Sequence, residues 1–117
     1  MAAYFFDTSA LAKRYHLEEG TARVQAIFAE SGTRIVISHL TVVEMRSMFG
    51  TKVRTGAIDR ATGTALAIRF QSDIAEGLVD VFAITPYDYR RADGLLGRYA
   101  FTTRLRSLDA LLPVNCR

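Results

Sequence analysis

Apolar and polar positions divide the chain into short apolar runs and longer amphipathic stretches. Ala3-Tyr4-Phe5-Phe6 is a continuous apolar run that stops at Asp7-Thr8-Ser9. A run without polar alternation predicts a strand buried on both faces, as in a parallel sheet. Ile35-Val36-Ile37, closed by Ser38-His39, repeats the pattern, and Val79-Asp80-Val81-Phe82-Ala83-Ile84 is a third strand candidate. Between these runs the period becomes helical. Asp-Thr-Ser supplies helix-start chemistry for the segment Ala10 to Tyr15, and Glu18-Glu19-Gly20 breaks it. Thr21 to Glu30 gathers Val24, Ile27 and Phe28 on one side and stops at Ser31-Gly32. A long helix is expected from about Leu40 to Arg54, with Val42, Met45, Phe49 and Val53 as its apolar stripe. Another runs from Asp59 to Glu76 and closes at Gly77. Thr85-Pro86 places a hydroxyl at an N-cap and proline at the first helical position, opening a helix to about Tyr99. Ser107 caps a last predicted helix beginning Leu108-Asp109-Ala110-Leu111-Leu112. Short apolar strands alternating with amphipathic helices predict an α/β fold around a short parallel sheet.

Composition narrows the class. At 117 residues the chain is expected to form a single domain spanning 1–117. It is 50% hydrophobic and 23% charged, a globular mix. Its apolar stretches are too short to span a bilayer. The first residues lack a basic segment and meet Asp7 at once, unlike a secretory signal. The lone Cys116 cannot form an internal disulfide, which suits a reducing cytoplasm. A net charge of +3 and a pI near 9.4 are compatible with a polyanionic partner.

The candidate chemistry lies in carboxylates. Asp7 stands at a strand end, where open α/β sheets bind ligands, although an aspartate there also serves as an ordinary N-cap. Glu44 has Leu40, Ser47 and Met48 as helical neighbours, a face apolar to small, so it need not point cleanly into water. It would then need a cation, a metal or a pairing with Arg46 or Lys52. Asp109 falls in a first helical turn, which the macrodipole alone would favour. Together these oxygen donors suit a hard cation, Mg²⁺ or Mn²⁺. His16 and His39 lack zinc-site spacing and are expected on the surface or in loops.

Three segments in order resemble PIN-domain proteins, and most closely the VapC-like toxins of bacterial toxin–antitoxin pairs. They are Tyr4 to Tyr15 followed by Glu18-Glu19-Gly20, then Ser38-His39-Leu40-Thr41-Val42-Val43-Glu44-Met45, then Leu105-Arg106-Ser107-Leu108-Asp109-Ala110-Leu111. The resemblance implies a Rossmann-like three-layer fold, metal-dependent endoribonuclease activity, frequent homodimers and an antitoxin that blocks the acidic site. It makes Asp7, Glu44 and Asp109 the catalytic, metal-binding carboxylates, with Thr8 or Ser9 as hydroxyls near them. RNA would be held by arginine and lysine near these segments: Lys13, Arg14, Arg46, Lys52, Arg104 and Arg106.

The chain departs from that pattern after its third segment. Relatives continue the helix into another strand followed by a fourth acid. Here Leu112-Pro113-Val114-Asn115-Cys116-Arg117 follows, and Pro113 disfavours continuing the helix. The tail reads as a truncation, a shifted reading frame or a genuinely shortened family member, with the last strand missing. Tyr4-Phe5-Phe6 would then be a hydrophobic sheet edge, which predicts a dimer. An alternative reading is a catalytically impaired PIN domain that binds an antitoxin or RNA. An aspartate-nucleophile phosphohydrolase is disfavoured by Ser9, where a second acid would stand, and P-loop or nucleotide-binding Rossmann function by the lack of a Gly-rich phosphate loop.

Overall fold

The first apolar run becomes strand β1 (Ala3–Phe5), and Asp7 turns the chain directly into helix α1 (Thr8–Tyr15). These elements belong to a computed structural model that describes residues 3–99 and 101. Helix α2 (Thr21–Ala29), strand β2 (Arg34–Ser38), helix α3 (His39–Arg54), helix α4 (Arg60–Ala75) and strand β3 (Asp80–Phe82) follow. They complete one compact unit, residues 1–82. A second unit, 83–117, contains helix α5 (Pro86–Tyr99). The helix expected from Leu108 lies outside the described residues.

The sheet is parallel, in the order β1-β2-β3. Tyr4 lies opposite Ile35, and Ile37 opposite Val81. Connections that step the same way along a sheet, each right-handed, put their helices on one face. The packing agrees. Ile35 and Ile37 join Leu11, Val24, Met45, Phe49 and Phe70 from the four helices in one core cluster. Val36, between them, faces the other way and is also buried. The uninterrupted apolar run of β2 is therefore explained: both faces of the central strand exclude water. Tyr15 closes the core edge-on against Phe49 and Phe70, with centroids 6.1 and 5.6 Å away.

Local chemistry sets the helix ends. Asp7, Ser38 and Asp59 each accept the backbone N–H three residues on, at 2.8, 3.2 and 2.7 Å. Gly56 and Gly77, just past α3 and α4, adopt φ of 79° and 80°, which an L side chain resists. β3 is shorter than the run 79–84 suggested. Its last partner is Ser38, and Ser38 is already the cap of α3, so no strand remains to pair with. In the second unit Thr85 and Asp88 cap α5 reciprocally. The Asp88 carboxylate accepts the Thr85 N–H and hydroxyl, each at 2.8 Å, and the Thr85 hydroxyl accepts the Asp88 N–H at 3.2 Å.

Candidate metal centre

Because β1 and β2 are parallel neighbours, their carboxyl ends lie side by side. The Phe6 N–H still donates to the Val36 carbonyl, at 3.0 Å, and the next residue is Asp7. Asp7 has extended backbone angles, φ −80° and ψ 174°, as an N-cap requires. Its Oδ1 accepts the Ala10 N–H at 2.8 Å. That bond fixes the carboxylate and leaves Oδ2 without a hydrogen-bond partner among the described residues. Beside it, the Thr8 Oγ1 is buried and has no partner among the described residues. A buried, unsatisfied hydroxyl costs about 1–3 kcal/mol, so an unmade interaction of this kind marks a place where a ligand or its water belongs. Ser9 is exposed.

The Ser38 cap starts α3 at the same end of the sheet, with its Oγ buried against Thr41. Glu44 lies between one and two turns further on, about 9 Å along the helix axis. It is exposed, unlike the half-sheltered position its neighbours suggested. Leu40 and Ser47, which bracket it at helical spacing, are themselves exposed, and Thr41, Met45 and Phe49 face the core instead. No ion pair with Arg46 or Lys52 forms. Asp109, Arg104 and Arg106 lie outside the described residues. Among the described residues no group of three His, Cys, Asp or Glu side chains is close enough to hold a metal.

The basic residues divide. Lys13 pairs with Glu18 at 3.4 Å. Arg14 turns inward, where its Nε donates to Asp73 at 3.2 Å and its Nη1 to Gln25 at 3.1 Å. Its guanidinium carbon lies 4.0 Å from the Phe28 ring centroid. Arg14 was a candidate for RNA because it is near Asp7 in sequence, yet its side chain is only 12% exposed. Arg46 is exposed, and Lys52 is half-buried. His39 is exposed, and His16 ends α1 with a buried Nδ1 that has no partner among the described residues.

Sequence reasoning missed Asp73 altogether. It is buried, and its Oδ2 accepts the Tyr15 hydroxyl at 2.6 Å as well as the Arg14 Nε. Burial first, then the bond to the Asp73 carboxylate and its charge, push the Tyr15 phenol well above its usual range. The Gln25 amide closes the network by donating to the Arg14 carbonyl at 3.1 Å. The only signal in the sequence was an acid on an otherwise amphipathic helix, and its partners are 58 and 59 positions away.

Asp7 and Glu44 offer only oxygen donors, the kind that a hard divalent cation prefers, and no third acid joins them among the described residues. No family model matches the chain, and no curated protein matches it. Among solved structures the chain is similar to VapC20 of Mycobacterium tuberculosis, described as a sarcin-ricin loop cleaving toxin. The two superpose with a TM-score of 0.62 at 16% identity, over 94% of this chain and 77% of VapC20. No helix among the described residues is long and apolar enough to cross a membrane. A mixed α/β architecture, a short three-stranded parallel sheet and that superposition together identify a VapC-like PIN fold.

Proposed function

We propose that this chain is a metal-dependent endoribonuclease of the PIN type, acting in the cytoplasm as the toxin of a toxin–antitoxin pair. One observation carries the reading: Asp7 stands at the carboxyl end of β1 with one oxygen fixed by the Ala10 N–H and the other open, next to the unsatisfied Thr8 hydroxyl. The fold shared with a toxin described as cleaving the sarcin-ricin loop supports it.

Asp7 and Glu44, with Asp109 added by the resemblance, would hold Mg²⁺ or Mn²⁺. Such an ion, when bound, supplies an acidified water and offsets the charge that builds on a phosphodiester. The chain's own part is to hold these acids in place. The Ala10 N–H fixes the Asp7 carboxylate, and the Ser38 cap anchors the helix that carries Glu44. The Thr8 hydroxyl orients the Asp7 carboxylate or a water beside it. A basic chain suits an RNA substrate. The outer edge of β1, unpaired among the described residues, is the surface by which two copies associate. An antitoxin protein that covers the acidic end of the sheet completes the system.

The test is cleavage of a structured RNA with Mg²⁺ or Mn²⁺, run beside a Glu44→Gln control. Metal-dependent cleavage lost in the control supports the proposal. Cleavage that survives the substitution overturns the assignment of the site. A chain that binds Mn²⁺ in calorimetry yet cuts nothing is a binding module on an inherited fold.

A further inference from the structure

Helices α3 and α4 pack side by side, with an open groove of about 480 Å³ between them. Its floor is apolar, built by Phe49, Val53 and Ala67. The helices touch closely at Gly63, where a Cβ would come within 2.5 Å of the Val53 Cγ2. Arg46, Arg54 and Arg60 stand around the rim. None of the three has a carboxylate partner among the described residues; Arg54 bonds only to the Thr51 hydroxyl, at 3.3 Å. A second, smaller hollow continues the groove and shares Arg46, Phe49 and Ala67 with it. From Val42 to Arg54 the furrow extends about 18 Å along α3.

We infer that this furrow is the docking site for an acidic, amphipathic helix of a partner protein. Three converging like charges without counter-ions call for an anionic occupant. The elongated apolar floor, from Val42 through Phe49 to Val53 with Ala67 opposite, calls for an apolar stripe on the same occupant, which is the helix-in-groove mode of recognition. A nucleic acid fits less well. Phe49 and Phe70 are each only 4% exposed, so neither offers a ring face on which a base could stack. Arg46 therefore serves a protein partner in place of RNA.

The inference rests on the groove alone and is tested without metal, so its failure and that of the nuclease reading are separable. The probe is a labelled synthetic helix of about 15 residues, with a leucine stripe and glutamates along both flanks. Its binding to the full chain is followed by anisotropy and by amide shifts in NMR. Shifts are expected at Phe49, Val53 and Ala67. Arg46→Glu and Arg60→Glu should each weaken binding by about tenfold or more. Thr64→Trp, at an exposed lining position, should block the groove without touching the core. Equal binding of a peptide with lysine for glutamate, or shifts that map elsewhere, would overturn the inference. So would a single-stranded RNA that displaces the peptide from these residues.

Discussion

Two aspartates in the same unit show opposite uses of a carboxylate. Asp73 is buried and holds a guanidinium and a phenol on one oxygen. Asp7 is half-buried and accepts one backbone N–H, with a partnerless hydroxyl beside it. A buried acid that neutralises a sheltered guanidinium and accepts a phenol is engaged in tying helices together. An acid with an open oxygen at a strand end is free to bind. Burial alone would have ranked these two residues the wrong way round for function.

Removing Asp73 should give the largest effect. Asp73→Ala leaves the Arg14 guanidinium sheltered and unpaired and strips the Tyr15 hydroxyl of its acceptor. A loss of about 3–5 kcal/mol is expected in urea unfolding. A loss under about 1 kcal/mol would break the comparison, since it would show that the network does not hold the fold. Asp7→Asn should do the reverse. Asparagine caps helices as well as aspartate, so unfolding should hardly change. Mn²⁺ affinity and RNA cleavage should fall by more than the roughly 100-fold that outer partners of a metal site cost.

The elements were legible because their signals are local. Apolar runs marked β1 and β2, the cap residues Asp7 and Asp59 marked helix starts, and Thr85-Pro86 marked α5. Asp7 was legible for the same reason, since a strand end and a helix start meet on it. The exposure of Glu44 was misjudged, because three neighbours do not say which side of a helix the sheet will cover. Asp73 was illegible, because what defines it is Arg14 and Tyr15, brought to it only by the fold. The partner of Arg14 was illegible on the same ground: nearness to Asp7 in sequence did not reveal an acid on α4.

A smaller effect sharpens the structural side. Tyr15→Phe should cost about 1.5–3 kcal/mol by removing a hydrogen bond to a charged acceptor. The phenol's folded pKa lies above its unfolded value, so its contribution is complete below the unfolded value, near pH 10. Stability should then fall as pH rises beyond that point, and the fall should be shallower in Tyr15→Phe. Chemical unfolding at pH 8 and pH 11 reads the difference; equal slopes would remove Tyr15 from the network's account. The smallest change is expected from Asp59→Asn. Asp59 caps α4 as Asp7 caps α1, and its carboxyl is held below its usual range chiefly by the Thr62 N–H. Its stabilising effect is present above the unfolded value and fades as pH falls. At neutral pH the variant should keep both its melting temperature and its cleavage rate. A loss of cleavage would mean that acidic caps in general, and not the open oxygen of Asp7, sustain the activity.

The Arg14–Asp73 tie also sets a schedule for the growing polypeptide. Its two halves leave the ribosome 59 residues apart, an interval of about 3–12 s at ordinary synthesis speeds. During that interval α1 carries an arginine and a tyrosine shaped for an acid that has not yet been made. The first helices can collapse early, but they cannot lock until α4 arrives, so a chain arrested before residue 73 should be a ready substrate for proteases and one released after it should not.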